Sequence, residues 1–312
     1  MSSKKVYIAL SQFCQDDDRP RKALVNAGFE VHENLRGRRM RREEMFDVLS
    51  DADAVLAAVE PYDAELLTSL SRLRCISRCG IGTDAIDLAV AQRMNIAVLT
   101  TPDEVVEPVA QLTLAMIFAL ARNFPIHTTD FRSSMWRKHY GYLLSELTIG
   151  LVGFGRIGRA VEQYLRPFLP RVIVTDPCVD VSTLPRGVEM RSLRELLVES
   201  DLVSLHASCS PQNQTPLIGR KEIAVMKRCS RLINTSRGHL IDEQALYDAL
   251  QSGHLAGAAV DVFSEEPYTG ALATLPQVLC TPHIATLTRA SRAAMELSCA
   301  TNVVNFFSHE SV

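Results

Sequence analysis

Short apolar runs alternate with longer stretches of helical periodicity from one end of the chain to the other. Residues 6–10 (VYIAL), 29–33 (FEVHE), 54–58 (AVLAA), 74–79 (RCISRC) and 96–100 (IAVLT) read as a first series of strands. Residues 148–154 (TIGLVGF), 171–176 (RVIVTD), 201–206 (DLVSLH), 231–236 (RLINTS), 256–263 (AGAAVDVF) and 278–283 (VLCTPH) read as a second. Runs this short and this apolar fit strands buried on both faces, and the helical stretches between them fit crossovers of parallel sheets. The pattern predicts an α/β fold with two doubly wound parallel-sheet domains. Between the two series, residues 103–122 read as one long helix. Val106, Val109, Ala110, Leu112, Leu114, Ala115, Ile117, Phe118 and Leu120 make it apolar on most sides, so it is expected to be buried at a domain or subunit junction. The tail, 289–307, is helical again and is able to return to the first domain.

A chain of 312 residues with 47% hydrophobic and 22% charged residues is a globular composition. Its formal net charge of -3 argues against a general nucleic-acid binder. The one basic run, 36–42 (RGRRMRR), carries five arginines; a solvated turn before a helix is preferred to a polyphosphate patch. The eight cysteines include no CxxC pair, so no zinc site is expected, and several lie in apolar runs where Cys acts as a small hydrophobe. The N-terminus lacks the apolar core of a signal peptide, and the longest apolar stretch, 112–121, is too short to span a bilayer. A reducing cytoplasm is the expected compartment.

Gly153-Phe154-Gly155-Arg156-Ile157-Gly158 is a G-x-G-x-x-G. Strand TIGLV precedes it, helix RIGRAVEQYL follows, and the next strand ends in Asp176, 18 residues after Gly158. This is the βαβ context in which the motif binds a dinucleotide. Gly153 permits the tight turn, Gly155 lets the backbone approach the pyrophosphate, and Gly158 lets helix and strand pack closely. The phosphates would rest on the helix N-terminus, against the N–H groups of Arg156, Ile157 and their neighbours. Asp176 would accept the ribose hydroxyls and repel a 2'-phosphate, which favours NAD over NADP.

Arg237 follows the strand RLINTS, Glu266 lies just past AGAAVDVF, and His283 ends VLCTPH. Ligands of open α/β sheets bind outside the carboxyl ends of strands, so the three can converge. Their types suit reduction of a 2-keto acid. Arg237 can grip a carboxylate with two prongs, His283 can pass a proton near neutral pH, and Glu266 can fix the tautomer of His283. Asp261 could bind the nicotinamide. Taken singly, each also reads as a packed, capping or loop residue.

Together, RCGIGTDAIDL (78–88), LVGFGRIGRA (151–160), SLHASCSPQNQTPLIG (204–219), MKRCSRLINTSRGHLIDEQALYDAL (226–250), AGAAVDVFSEEP (256–267) and TPHIATLT (281–288) resemble the D-isomer-specific 2-hydroxyacid dehydrogenase family, including its phosphoglycerate dehydrogenase-like members. The segments occur in family order and cover about two thirds of the chain. The resemblance implies two Rossmann-like domains, with an NAD domain (101–287) inserted into a substrate domain (1–100 plus 288–312) and the active site in the cleft. It implies a homodimer built partly on the helix 103–122. It implies that Arg237 binds substrate, Glu266 assists the histidine and His283 is the acid/base. It carries Asp261 to the nicotinamide and His206, Thr235 and Ala285 to the cofactor cleft. Backbone N–H groups of Gly80, Ile81 and Gly82 would receive the substrate carboxylate. The expected activity is NAD-dependent interconversion of a D-2-hydroxy acid and its 2-keto acid, the D preference coming from the resemblance alone.

The chain departs from the family pattern at Ala85, where Asn is frequent, and at Gln111, where Glu is usual. Phosphoglycerate-specific members tend to carry Arg-Ser after the third strand, where this chain has Glu60-Pro61, which argues against 3-phosphoglycerate. The sequence closes after one helix, so a C-terminal regulatory extension with serine feedback is not expected. Two rival readings stand beside the dehydrogenase: a non-catalytic NAD-sensing corepressor-like protein, and a dehydrogenase of another small anion such as formate or a phosphonate. An intact Arg237, Glu266 and His283 favours an enzyme over the first; a substrate panel separates the second.

Overall fold

The computed structural model describes residues 3–208 and 215–309. Cys209 and the middle of the 204–219 segment lie outside them. The chain divides into two compact units, 1–105 with 286–312, and 106–285. The joints expected from the sequence were 100/101 and 287/288.

The first unit runs β1 (Lys5–Ile8), α1 (Arg19–Asn26), β2 (Glu30–Glu33), α2 (Arg42–Val48), β3 (Ala54–Ala57), α3 (Ala64–Ser69), β4 (Cys75–Arg78), α4 (Leu88–Arg93) and β5 (Ala97–Thr100). All pairings are parallel, in the order β2-β1-β3-β4-β5. Alternate residues feed two cores. Tyr7, Val55 and Ile76 face one side, with Met45, Leu66, Leu67 and Val90 of the helices. Val6, Ile8, Leu56 and Cys75 face the other, with Leu24 and, from the C-terminal helix, Met295, Cys299 and Val303. Burial on both faces is why these strands lack a polar alternation.

The second unit runs α5 (Val106–Ala121), α6 (Phe124–Arg132), β6 (Thr148–Val152), α7 (Arg156–Leu165), β7 (Arg171–Thr175), β8 (Val188–Met190), α8 (Leu193–Glu199), β9 (Leu202–Leu205), α9 (Arg220–Val225), β10 (Ser230–Asn234), α10 (Glu243–Gln251), β11 (Leu255–Val260) and β12 (Val278–Cys280). The remaining helix, α11 (Arg289–His309), belongs to the first unit. The second sheet is parallel throughout, in the order β12-β11-β10-β9-β6-β7-β8. This is the dinucleotide-binding strand order with an added strand, and its switch point lies between β6 and β9. The first sheet has the other common doubly wound order.

Each strand read from the sequence is present. The edge strand β8, three residues long, and the helix α6 were not read. The long helix is slightly shorter than the expected 103–122. Val109, Ala110, Thr113, Met116, Ile117 and Leu120 are buried, and the helix packs on α7, β10 and β11 of its own unit. No single helix among the described residues is long and apolar enough to cross a membrane.

The basic run 36–42 is a turn leading into α2. Arg38 and Arg41 bind Glu44, Arg36 lies 3.6 Å from it, Arg42 reaches Asp63 and Glu65, and Arg39 donates to the Val59 carbonyl. The Arg38 guanidinium, with the N–H and side chain of Arg41, holds the Glu44 carboxyl well below the usual carboxylate range.

Candidate active site

Because every strand of the second sheet points the same way, one carboxyl edge receives every residue the sequence singled out in this unit. Gly153 follows β6, Asp176 follows β7, His206 follows β9, Arg237 follows β10, Asp261 and Glu266 follow β11, and His283 follows β12.

At the switch point the glycines are forced by space. Gly153 has φ +94°, and a Cβ there would lie 2.6 Å from the His206 carbonyl carbon and the Ala207 nitrogen. A Cβ on Gly158 would overlap the Gly153 carbonyl oxygen. Gly155 is different: nothing lies within 4 Å of where its Cβ would be. The free space at the start of α7 is the approach a pyrophosphate needs. Arg156 is exposed and Ile157 half-buried on the first turn of that helix. Asp176 closes the turn from β7, its carboxylate accepting from Phe154 N (2.7 Å) and Cys178 N (2.8 Å). His206 shares its Nε2 with Ser204 Oγ at 2.9 Å, while its buried Nδ1 has no partner among the described residues. Desolvation pushes the imidazole down to about 4, so it is neutral at pH 7. A buried unpaired nitrogen beside an open glycine turn fits a polar ligand arriving there. The residues present therefore fit a dinucleotide.

Towards the other end of the edge the polar groups hold one another. Glu266 Oε2 lies 2.9 Å from His283 Nδ1, and Glu266 Oε1 accepts from Phe263 N at 3.1 Å. The Nε2 of His283 takes no part in that pair. His283 sits at φ +53°, a conformation costly for a non-glycine residue. The turn that imposes it is built by Asp261. That carboxylate, fully buried, accepts from Thr281 Oγ1 (2.6 Å), Ile284 N (2.9 Å) and Ala285 N (3.0 Å), while the Asp261 carbonyl accepts from His283 N (2.8 Å). Ala285 is buried in the same turn. The loop bearing Arg237 is pinned by Asn234, whose amide donates to the Arg237 carbonyl at 2.8 Å, and by Ser236, whose hydroxyl donates to the Leu205 carbonyl at 2.7 Å. Thr235 is buried, its hydroxyl 2.9 Å from that of Thr113 on α5.

In the first unit, Gly80-Ile81-Gly82 follows β4, and Gly80 has φ +141°. The expectation of three free N–H groups needs correction: Gly80 N already donates to Thr101 Oγ1 at 2.8 Å. Among the described residues, the N–H groups of Ile81 and Gly82 have no acceptor. Glu60, after β3, is 1% exposed, its Oε2 unpaired, and burial pushes its carboxyl up.

Sequence reasoning missed Thr101, Thr113 and the task of Asp261. Thr113, a polar residue inside an apolar helix, was the available signal for one of them; the other two arise from turns that only the folded chain defines.

Residues 114–285 match the model of the D-isomer specific 2-hydroxyacid dehydrogenase, NAD binding domain. The chain belongs to the D-isomer specific 2-hydroxyacid dehydrogenase family. Its cofactor is NAD. Among members of the family, a D-3-phosphoglycerate dehydrogenase of Methanocaldococcus jannaschii is 36% identical over 250 residues, 78% of this chain but 48% of that protein. The chain thus spans about half the length of this curated relative. A glyoxylate reductase of Pyrococcus furiosus is 34% identical over 295 residues, 91% of this chain and 88% of that protein. The crystal structure of a D-lactate dehydrogenase from Aquifex aeolicus, complexed with NAD and lactic acid, superposes with a TM-score of 0.83 at 27% identity, covering 98% of this chain and 96% of that one.

Proposed function

We propose that the chain is an NAD-dependent dehydrogenase that interconverts a D-2-hydroxy acid and its 2-keto acid. The observation that carries this reading is the Glu266–His283 pair at 2.9 Å, on the same sheet edge as Arg237 and the glycine turn. Bound NADH supplies the hydride. His283 gives the proton to the carbonyl oxygen from Nε2 and takes it back in the reverse direction. Glu266 acts through His283, keeping the Nδ1 side of the ring engaged. Arg237 holds the substrate carboxylate and polarises the neighbouring carbonyl. Asp261 builds the turn that carries His283, and its Oδ2, which accepts from Ala285 N alone, keeps a second lone pair for the nicotinamide carboxamide. Gly153, Gly155, Arg156, Ile157 and Gly158 cradle the pyrophosphate, Asp176 meets the ribose, and His206, Thr235 and Ala285 line the cofactor. Within the first unit, the N–H groups of Ile81 and Gly82 offer donors to a carboxylate.

A homodimer goes with this reading. The outward positions of α5 are few, Glu107, Gln111 and Ala115, whereas Phe131, Trp136, Tyr140 and Leu143 beyond it are exposed by 66% or more. We place the interface on α6 and the segment after it as well as on α5. Sedimentation should report twice the 34.5 kDa chain mass, and a monomeric species would remove the dimer.

The deciding experiment is NADH oxidation with glyoxylate, pyruvate, hydroxypyruvate, 2-ketobutyrate, 2-ketoglutarate and phosphohydroxypyruvate, repeated with NADPH and with His283→Ala. Turnover of one acid that prefers NADH and collapses in the variant supports the assignment and names the substrate. Tight NADH binding without turnover of any acid sinks it.

A further inference from the structure

Glu266 is a half-exposed side chain on a loop, yet its carboxylate must present one oxygen to His283 in a fixed direction. Its other oxygen is bound to the backbone N–H of Phe263. Whatever fixes Phe263 therefore fixes the carboxylate. Three contacts do so. Gly238, the residue after Arg237, lies so close that a Cβ on it would overlap the Phe263 carbonyl group. The next residue, Ser264, is held through N and Oγ, both 2.7 Å from Glu243 Oε1 at the start of α10. The Phe263 ring is stacked on Tyr268, with centroids 4.0 Å apart and planes 14° from parallel.

The third contact closes a loop. Phe263 and Tyr268 bracket the segment that carries Glu266, so their stacking turns a flexible stretch into a short ring with its ends pinned. Tyr268 is itself fixed: its hydroxyl accepts from Leu272 N at 3.2 Å, and its ring fills the space that a Cβ on Gly270 would need. We propose that Tyr268 is a positioning residue, which holds the Glu266 carboxylate on His283 by closing the 263–268 loop.

The kinetic consequence rests on the dehydrogenase reading above; the structural consequence does not, and two readouts keep them apart. The first is the 15N signature of the His283 imidazole, assigned by comparison with His283→Ala. With Glu266 in place the neutral ring should be held with its proton on Nδ1. Tyr268→Ala should release it to a mixture of tautomers, as Glu266→Gln should. Gly270→Ala, which displaces the Tyr268 ring without removing it, should do the same, and Tyr268→Phe, which keeps the stack, should not. The second readout is turnover of whichever keto acid is accepted. Tyr268→Ala should lower kcat about tenfold, a small displacement being costly for proton transfer, and leave the NADH dissociation constant unchanged. An unaltered tautomer in Tyr268→Ala overturns the proposal whether or not the enzyme turns over. An altered tautomer in a protein that reduces no keto acid sustains the positioning role and overturns only the dehydrogenase reading.

Discussion

The two parallel sheets are built by the same rules and end differently. Each is buried on both faces and gathers its polar residues on the carboxyl edge. On the seven-stranded sheet that edge is already organised: Asp176 braces the glycine turn, Glu266 braces His283, Asp261 braces the turn beneath it, and Asn234 braces Arg237. On the five-stranded sheet the corresponding edge carries the 36–42 arginines, Glu60 and the Gly80-Ile81-Gly82 turn. The arginines of 36–42 are largely occupied with Glu44, Asp63 and Glu65, and among the described residues that edge's buried atoms without a partner include the Tyr62 hydroxyl and one oxygen of Glu60. Hydride and proton chemistry needs groups fixed in advance, because reorganisation during the reaction is costly.

The comparison can be broken most severely at His283. His283→Ala should cost about 10²- to 10⁴-fold in kcat/KM, the usual worth of a general acid, while fluorescence titration shows NADH binding intact; retained turnover would place the proton donor elsewhere. Arg237→Lys should come next. It keeps the charge but loses the fork, and about 2 kcal/mol, or roughly thirtyfold in kcat/KM, should go with it. A rise in KM for NADH instead would reassign the residue to the cofactor. Gly155→Ala separates space from strain: its Cβ meets no protein atom, so thermal unfolding should be unchanged while NADH binds about tenfold more weakly. Gly158→Ala, which collides with the Gly153 carbonyl, should lower both. On the five-stranded side the expected effect is smaller. Thr101→Val removes the acceptor of Gly80 N and should cost about 1 kcal/mol of stability, with kcat little changed.

A separate effect is on pH dependence. The folded pKa of His206 is depressed to about 4, below the usual 6.5, so the unfolded chain binds the extra proton first. The stability it contributes is complete above about pH 6.5 and is lost as pH falls towards 4. His206→Asn should flatten that part of the unfolding profile, and an identical profile would show the ring to be protonated already in the fold.

The order of elements was legible because burial on both faces writes the central strands, such as AVLA of β3 and TIGLV of β6, as short apolar runs. The runs overshot where function begins. The expected strands run on through Thr235 and Ser236, Asp261 to Phe263, and Thr281 to His283, but β10, β11 and β12 stop at Asn234, Val260 and Cys280, because those residues leave the ladder to build the site loops. The short β8 lies at an edge, where three residues carry too little pattern to be seen. Glycines and charged side chains announced themselves by type. Supporting contacts did not, because Thr101 with Gly80, Thr113 with Thr235, and Tyr268 with Phe263 are defined by three-dimensional closure and not by spacing.

Gly238 carries a consequence for how such a chain changes over generations. With the Phe263 carbonyl where a side chain would begin, every missense change at that codon damages the loops of Arg237 and Glu266 together. The Val59-Glu60-Pro61 loop of the five-stranded sheet holds no glycine under such a restriction. A randomised library selected for new acids should therefore return varied residues around Glu60 and a single one at position 238, so that preference drifts while the chemistry is inherited unchanged.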